Sequence, residues 1–127
     1  QSEASRGREY VRNAGYKIVD EDMILEDGKY YPMFRCVPCA DNSAWDNMDE
    51  TTVTVCDLYG PVLIKNGNPV LRKFLVREHH KLAAIMQQLR TQEMSDSIMD
   101  RIEQINEMMA YNEAAYSTMG AIRNAGI

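Results

Sequence analysis

The sequence predicts an α+β fold, with a small antiparallel β-sheet in the N-terminal half and a helical hairpin in the C-terminal half. Three observations carry that prediction. Short apolar runs of β type occupy residues 16–64, an Asp27-Gly28 pair stands between two of them, and apolar residues recur at helical spacing from Asn68 onward. The 127 residues and 14.5 kDa fit a single core. The expected organisation is a flexible arm over 1–9 and one domain over 10–127, β-rich to residue 64 and helical from 65.

Residues 1–9 are Ser, Arg, Glu and Gly-rich with Ala4 as their one apolar residue, so an arm without fixed structure is expected. Strands follow at Tyr16–Val19, Met23–Leu25 and Lys29–Phe34. Gly28 accepts positive φ without steric cost, which makes Asp27-Gly28 a hairpin turn. Residues 40–50 read as an acidic loop plugged by Trp45. The β-branched run Thr51–Leu58 predicts a further strand, and Val62–Ile64 another beyond the Gly60-Pro61 break, giving three to five strands within 11–64. Asn68-Pro69 then opens a helix, Asn as cap and Pro where a missing N–H costs nothing. Leu71, Leu75, Leu82, Ile85 and Leu89, with Phe74 and Met86, form its apolar stripe. Ser95–Ser97 offers a cap for a second helix, although residues 91–95 hold neither Gly nor Pro and one continuous helix remains the alternative.

In that second helix Ile98, Ile102, Ile105, Met109, Tyr116 and Met119 fall at alternating steps of four and three, with Asn112 in the polar slot. Gly120 and Gly126 supply its stop. This seam carries more apolar surface than one short neighbour needs, so it predicts association with a second copy or a protein partner, in an oligomer or larger assembly.

Charge is unevenly placed. Residues 20–57 carry ten acids against Lys29 and Arg35, a net of −8, whereas residues 65–90 carry a net of +5. Arg72, Lys73, Arg77 and Lys81 form the basic face of the first long helix. Two readings are open: solvated pairing with the acidic block, or a surface for phosphates. The overall charge of −5 and pI near 5.0 favour the first and disfavour nucleic acid as a partner.

Three cysteines are present. Cys36-Val37-Pro38-Cys39 is a Cys-x-x-Cys, and Cys56 follows at the gap expected of a second knuckle. The segment resembles a zinc ribbon with one ligand missing, since Tyr59 stands in the fourth place. His79 or His80 would complete a Cys₃His set with Cys36, Cys39 and Cys56. The competing reading, and the preferred one, is three reduced thiols acting as small apolar residues with no cofactor. An odd cysteine count disfavours structural disulfides and points to a reducing intracellular compartment or a virion.

No phosphate-cradling glycine loop, nucleophile elbow, EF-hand or Glu-x-x-His pair is present. No apolar stretch reaches the roughly 20 residues of a bilayer span. The expected function is therefore non-enzymatic, an assembly or structural component of a virion or other large complex joined through its C-terminal helices. The alternative is a small regulatory module whose degenerate zinc ribbon presents the basic helix to nucleic acid.

Overall fold

The computed structural model describes residues 2–39, 41 and 43–125, with side chains for 2–39, 41 and 45–119. Gln1, the first residue of the expected arm, and Gly126, one of the two expected helix stops, lie outside the described residues. The elements run α1 (Glu3–Asn13), β1 (Tyr16–Glu26), β2 (Lys29–Pro38), α2 (Ser43–Asp46), α3 (Glu50–Tyr59), α4 (Pro61–Lys65), α5 (Pro69–Arg90) and α6 (Asp96–Ala125). The α+β class holds, as one two-stranded antiparallel sheet followed by helices. No helix among the described residues is long and apolar enough to cross a membrane.

The hairpin turns where expected. Asp27 and Gly28 have φ of 52° and 75°, the positive pair that a two-residue turn needs to match strand twist. Pairing runs from Tyr16↔Pro38 to Glu26↔Lys29, with an irregularity between Ile18 and Asp20. Beyond it Glu21 and Met23 face the interior.

The remaining expected strands are helices. Thr51–Leu58 lies in α3 because Asp49 caps it, its side chain accepting from the Thr52 amide at 2.7 Å, and Gly60 ends it. A cap is worth about 1 kcal/mol, more than the few tenths that each β-branched residue loses in a helix. Burial of Val55 and Tyr59 in the core adds to it. Val62–Ile64 belongs to α4, whose Leu63 and Ile64 enter the same core.

Nor is the N-terminal segment an arm. Ser2 caps α1 by accepting from the Ser5 amide at 3.1 Å, and α1 buries Ser5 and Arg8. Its anchors are polar, which is why a search for apolar residues missed them.

Asn68 caps α5 as expected, accepting from Val70 and Leu71 amides at 2.9 and 3.0 Å. The chain breaks after Arg90, and Ser95 accepts from the Ile98 amide at the start of α6. The seam of α6 is satisfied inside the chain. Ile105 is buried with Leu82, Met86 and Leu89 of α5, and Ile98, Ile102 and Met109 pack on that cluster. Met119 is buried with Leu63, Leu71 and Leu75. The seam therefore covers α5, and the expectation that it joins copies is corrected; Tyr116 alone of the six projects outward. Gly120 lies within α6 rather than ending it.

Candidate nucleic-acid interface

On α5 the basic residues form two adjacent rows with a step of four, Arg72–Val76–His80 and Lys73–Arg77–Lys81, because 3.6 residues per turn keep such steps on one face. Among the described residues the ion pairs are Arg8–Glu21 and Arg12–Asp57, and none of the four cations of this face enters one. Pairing with the acidic block of residues 20–57 does not occur here. Arg77 instead donates to the Gly28 carbonyl at 2.8 Å and lies over the Tyr30 ring, 5.7 Å from its centroid. Arg72 lies over Tyr116 at 5.4 Å.

The acid of α5, Glu78, is tied up by hydrogen bonds at the flank of this face, where it also lines the groove against the hairpin. It accepts from the Tyr59 hydroxyl and from Asn112 Nδ2 at 3.0 Å, while the same Asn112 amide donates to the Leu75 carbonyl at 2.9 Å. Burial, and then the bond to Glu78, push the Tyr59 phenol well above its usual range. This network locks α3, α5 and α6 together and leaves the outer face of α5 cationic.

Two grooves flank that face. One, of about 470 Å³, lies against the hairpin and is lined by Tyr30, Tyr31, Phe74, Arg77 and Lys81. The other, of about 330 Å³, lies between α5 and α6, with Val76, His79, His80 and Tyr116 on its walls. Cations interleaved with aromatic rings suit a phosphate backbone with unstacked bases.

A second polar cluster, not anticipated from the sequence, pins α1 to the hairpin and to α3. Arg8 donates from Nη1 to the carbonyls of Asp57 and Leu58 at 3.1 and 3.2 Å, and its Nε stands 3.6 Å from Glu21 Oε1. Arg12 grips Asp57 with two bonds, at 3.2 and 2.7 Å. That bond holds the Arg12 guanidinium above its ordinary value, whereas burial lowers Arg8 despite Glu21. Burial raises the Glu21 carboxyl to about 7; Arg8 and the Val62 and Leu63 amides oppose the rise. Those amides face the carboxylate without closing to full hydrogen bonds. Arg8 and Glu21 are buried and Arg12 and Asp57 partly exposed, and together they hold α1, the hairpin and α3 to one another. Arg8 and Arg12, one turn apart after a Ser cap, were the available signal.

The cysteines do not assemble. Cys36 lies on β2, Cys39 just beyond it, Cys56 on α3 and His79 on α5. Among the described residues no group of three or more His, Cys, Asp or Glu could hold a metal. A ribbon needs its second knuckle at a strand turn, and Cys56 sits on a helix where burial pushes its thiol up to about 11. The zinc expectation is unsupported.

Solved structures similar to this chain include the B. subtilis M1A22 tRNA methyltransferase TrmK, at 23% identity and a TM-score of 0.73, covering 89% of this chain and 47% of that one. An uncharacterized protein from Listeria monocytogenes serotype 4b matches at 18% identity and a TM-score of 0.76, over 88% of this chain and 46% of that one. A Streptococcus pneumoniae putative tRNA (m1A22) methyltransferase in complex with S-adenosyl-L-methionine matches at 20% identity and a TM-score of 0.54, over 85% and 44%. These likenesses are of fold, and the chain spans under half the length of each. No curated protein matches it.

The expectation of no cofactor for this chain conflicts with this likeness, in which the similar protein holds S-adenosyl-L-methionine. The residues described here do not fit it, however. Open α/β sheets hold nucleotide ligands at the carboxyl ends of parallel strands beside a glycine-rich turn, and the sheet here is one antiparallel hairpin whose Gly15 and Gly28 lie at separate turns.

Residues 1–113 match the family model described as TrmK: tRNA (adenine(22)-N(1))-methyltransferase. This match overturns the reading of a non-enzymatic virion or assembly component, and removes the ground for setting nucleic acid aside as a partner. The chain belongs to the TrmK family of tRNA (adenine(22)-N(1))-methyltransferases.

Proposed function

We propose that this chain serves a tRNA (adenine(22)-N(1))-methyltransferase by holding the tRNA, with Arg72, Lys73, Arg77 and Lys81 on α5 contacting backbone phosphates. One observation carries the reading: these four cations stand on one helix face with no carboxylate partner among the described residues, while Arg8 and Arg12 have theirs. Uncompensated cations in rows are what a polyanion recruits, because each phosphate neutralised releases a counterion. The family match supplies the class of polyanion.

S-adenosyl-L-methionine, where a methyltransferase binds it, supplies the methyl group. No step of that transfer is assigned to the residues described here, which position RNA rather than react with it. A tRNA substrate also places the work inside the cell, in keeping with three free cysteines.

Binding of unmodified tRNA as a function of salt tests the reading. Four neutralised phosphates predict a log–log slope of roughly −3 to −4. Undetectable binding, or affinity indifferent to salt, would overturn it.

A further inference from the structure

The groove between α5 and α6 has features that phosphate contacts do not use. Its walls present Val76, His79, His80 and Tyr116, with the buried Leu75 and Asn112 beneath them. Tyr116 is 42% exposed although its neighbours on the seam are packed away. The groove opens onto the surface of Arg72 and Lys73 through the shared residues Val76, His80 and Tyr116. Glu113 also lines it, so a phosphate is repelled from the interior while the mouth attracts one.

We propose that this groove receives one unstacked base of a single-stranded RNA segment, stacked on Tyr116, with the adjoining phosphates held at the mouth by Arg72 and Lys73. The proposal rests on the RNA-holding reading above and adds a base site to it. The exposed Val76 side chain and the Tyr116 ring suit the π-face of a base. Glu113, Ser117 and His79 give its polar edge acceptors and donors. The Arg72 guanidinium over the Tyr116 ring fixes that ring in place before RNA arrives. A volume of about 330 Å³ is enough to admit a base.

The test compares two probes on the full chain: a short unstructured oligo(A) RNA, and the same ribose-phosphate backbone without bases. Tyr116→Ala should weaken oligo(A) binding by roughly 5- to 150-fold, the span of one lost base stack, and leave the abasic backbone unaffected. Tyr116→Phe should keep wild-type affinity, since the ring does the stacking. In a second measurement, 2-aminopurine within the RNA should be quenched on binding to the wild type and not to Tyr116→Ala. If both probes bind the wild type equally and Tyr116→Ala alters neither, the base site is overturned while RNA holding stands. If neither probe nor tRNA binds the wild type, RNA holding falls and the base site with it.

Discussion

Gly60 sets how closely the polar pin can close. Its φ of +100° is a conformation that side-chain-bearing residues rarely adopt, and a Cβ there would clash with Glu21 Oε2 and stand 3.1 Å from Arg8 Nη2. Gly60→Ala should therefore cost about 2–3 kcal/mol, strain and displaced carboxylate together. Urea unfolding measures it, and a loss below about 0.5 kcal/mol would mean that the turn yields freely. Glu21 itself gives stability a pH dependence. Its folded pKa of about 7 lies above its ordinary carboxyl value, so the folded chain binds the proton more tightly than the unfolded chain between about pH 4.5 and 7. Its contribution is complete below that window and is lost as pH rises through it, by roughly 3 kcal/mol. Glu21→Gln, neutral at every pH, should flatten that part of the stability profile. An unchanged profile in the variant would assign the loss to other groups.

The α5–α6 hairpin is held by a seam with one polar tie, Asn112. Ile105→Ala should cost about 2–4 kcal/mol by leaving a cavity against Leu82 and Met86, with a melting temperature independent of protein concentration because the packing lies within one chain. A concentration-dependent midpoint would return the seam to an interface between copies. Both helices could be read from the sequence, since Asn68-Pro69 and the three-four spacing are local signals that the tertiary structure did not override. The Asp27-Gly28 hairpin was readable for the same reason. The segment Thr51–Leu58 was not, because its caps, Asp49 and Gly60, flank a run whose composition belongs to a strand. Helix α1 escaped because what it buries is Ser5 and Arg8, and burial of an arginine depends on carbonyls of Asp57 and Leu58 about fifty positions away. The basic face was visible as a block of charge. Its aromatic flanks were not, because Tyr30 and Tyr31 come from the hairpin and Tyr116 from α6.

A chain of net charge −5 binds a polyanion only if its charges are segregated, and here the segregation has a structural origin. Glu21 and Asp57 are committed to Arg8 and Arg12, and Glu78 to Tyr59 and Asn112. The acids nearest the core are thus spent on holding elements together, and the α5 cations are left without a counter-charge of their own. This arrangement makes a quantitative prediction. Lys73→Gln and Arg77→Gln should each weaken tRNA binding and lower the magnitude of the salt slope by about 0.7–0.9 for each charge removed, and the double variant by about twice that. Arg101→Gln is the comparison, because Arg101 is exposed on α6 and pairs with Gln104 at 3.2 Å away from the α5 rows. It should leave both affinity and slope within error of the wild type. The melting curve of Lys73→Gln should superimpose on that of the wild type, since an exposed cation without an ion pair contributes little to stability, whereas Arg77→Gln also gives up the bond to the Gly28 carbonyl and should melt slightly lower. If Arg101→Gln lowers the slope as much as Arg77→Gln does, attraction is spread over the surface and the α5 rows are no specific site. If the α5 variants alone lower it, the rows form the phosphate track, and the order of their individual effects gives the direction in which the RNA backbone crosses α5.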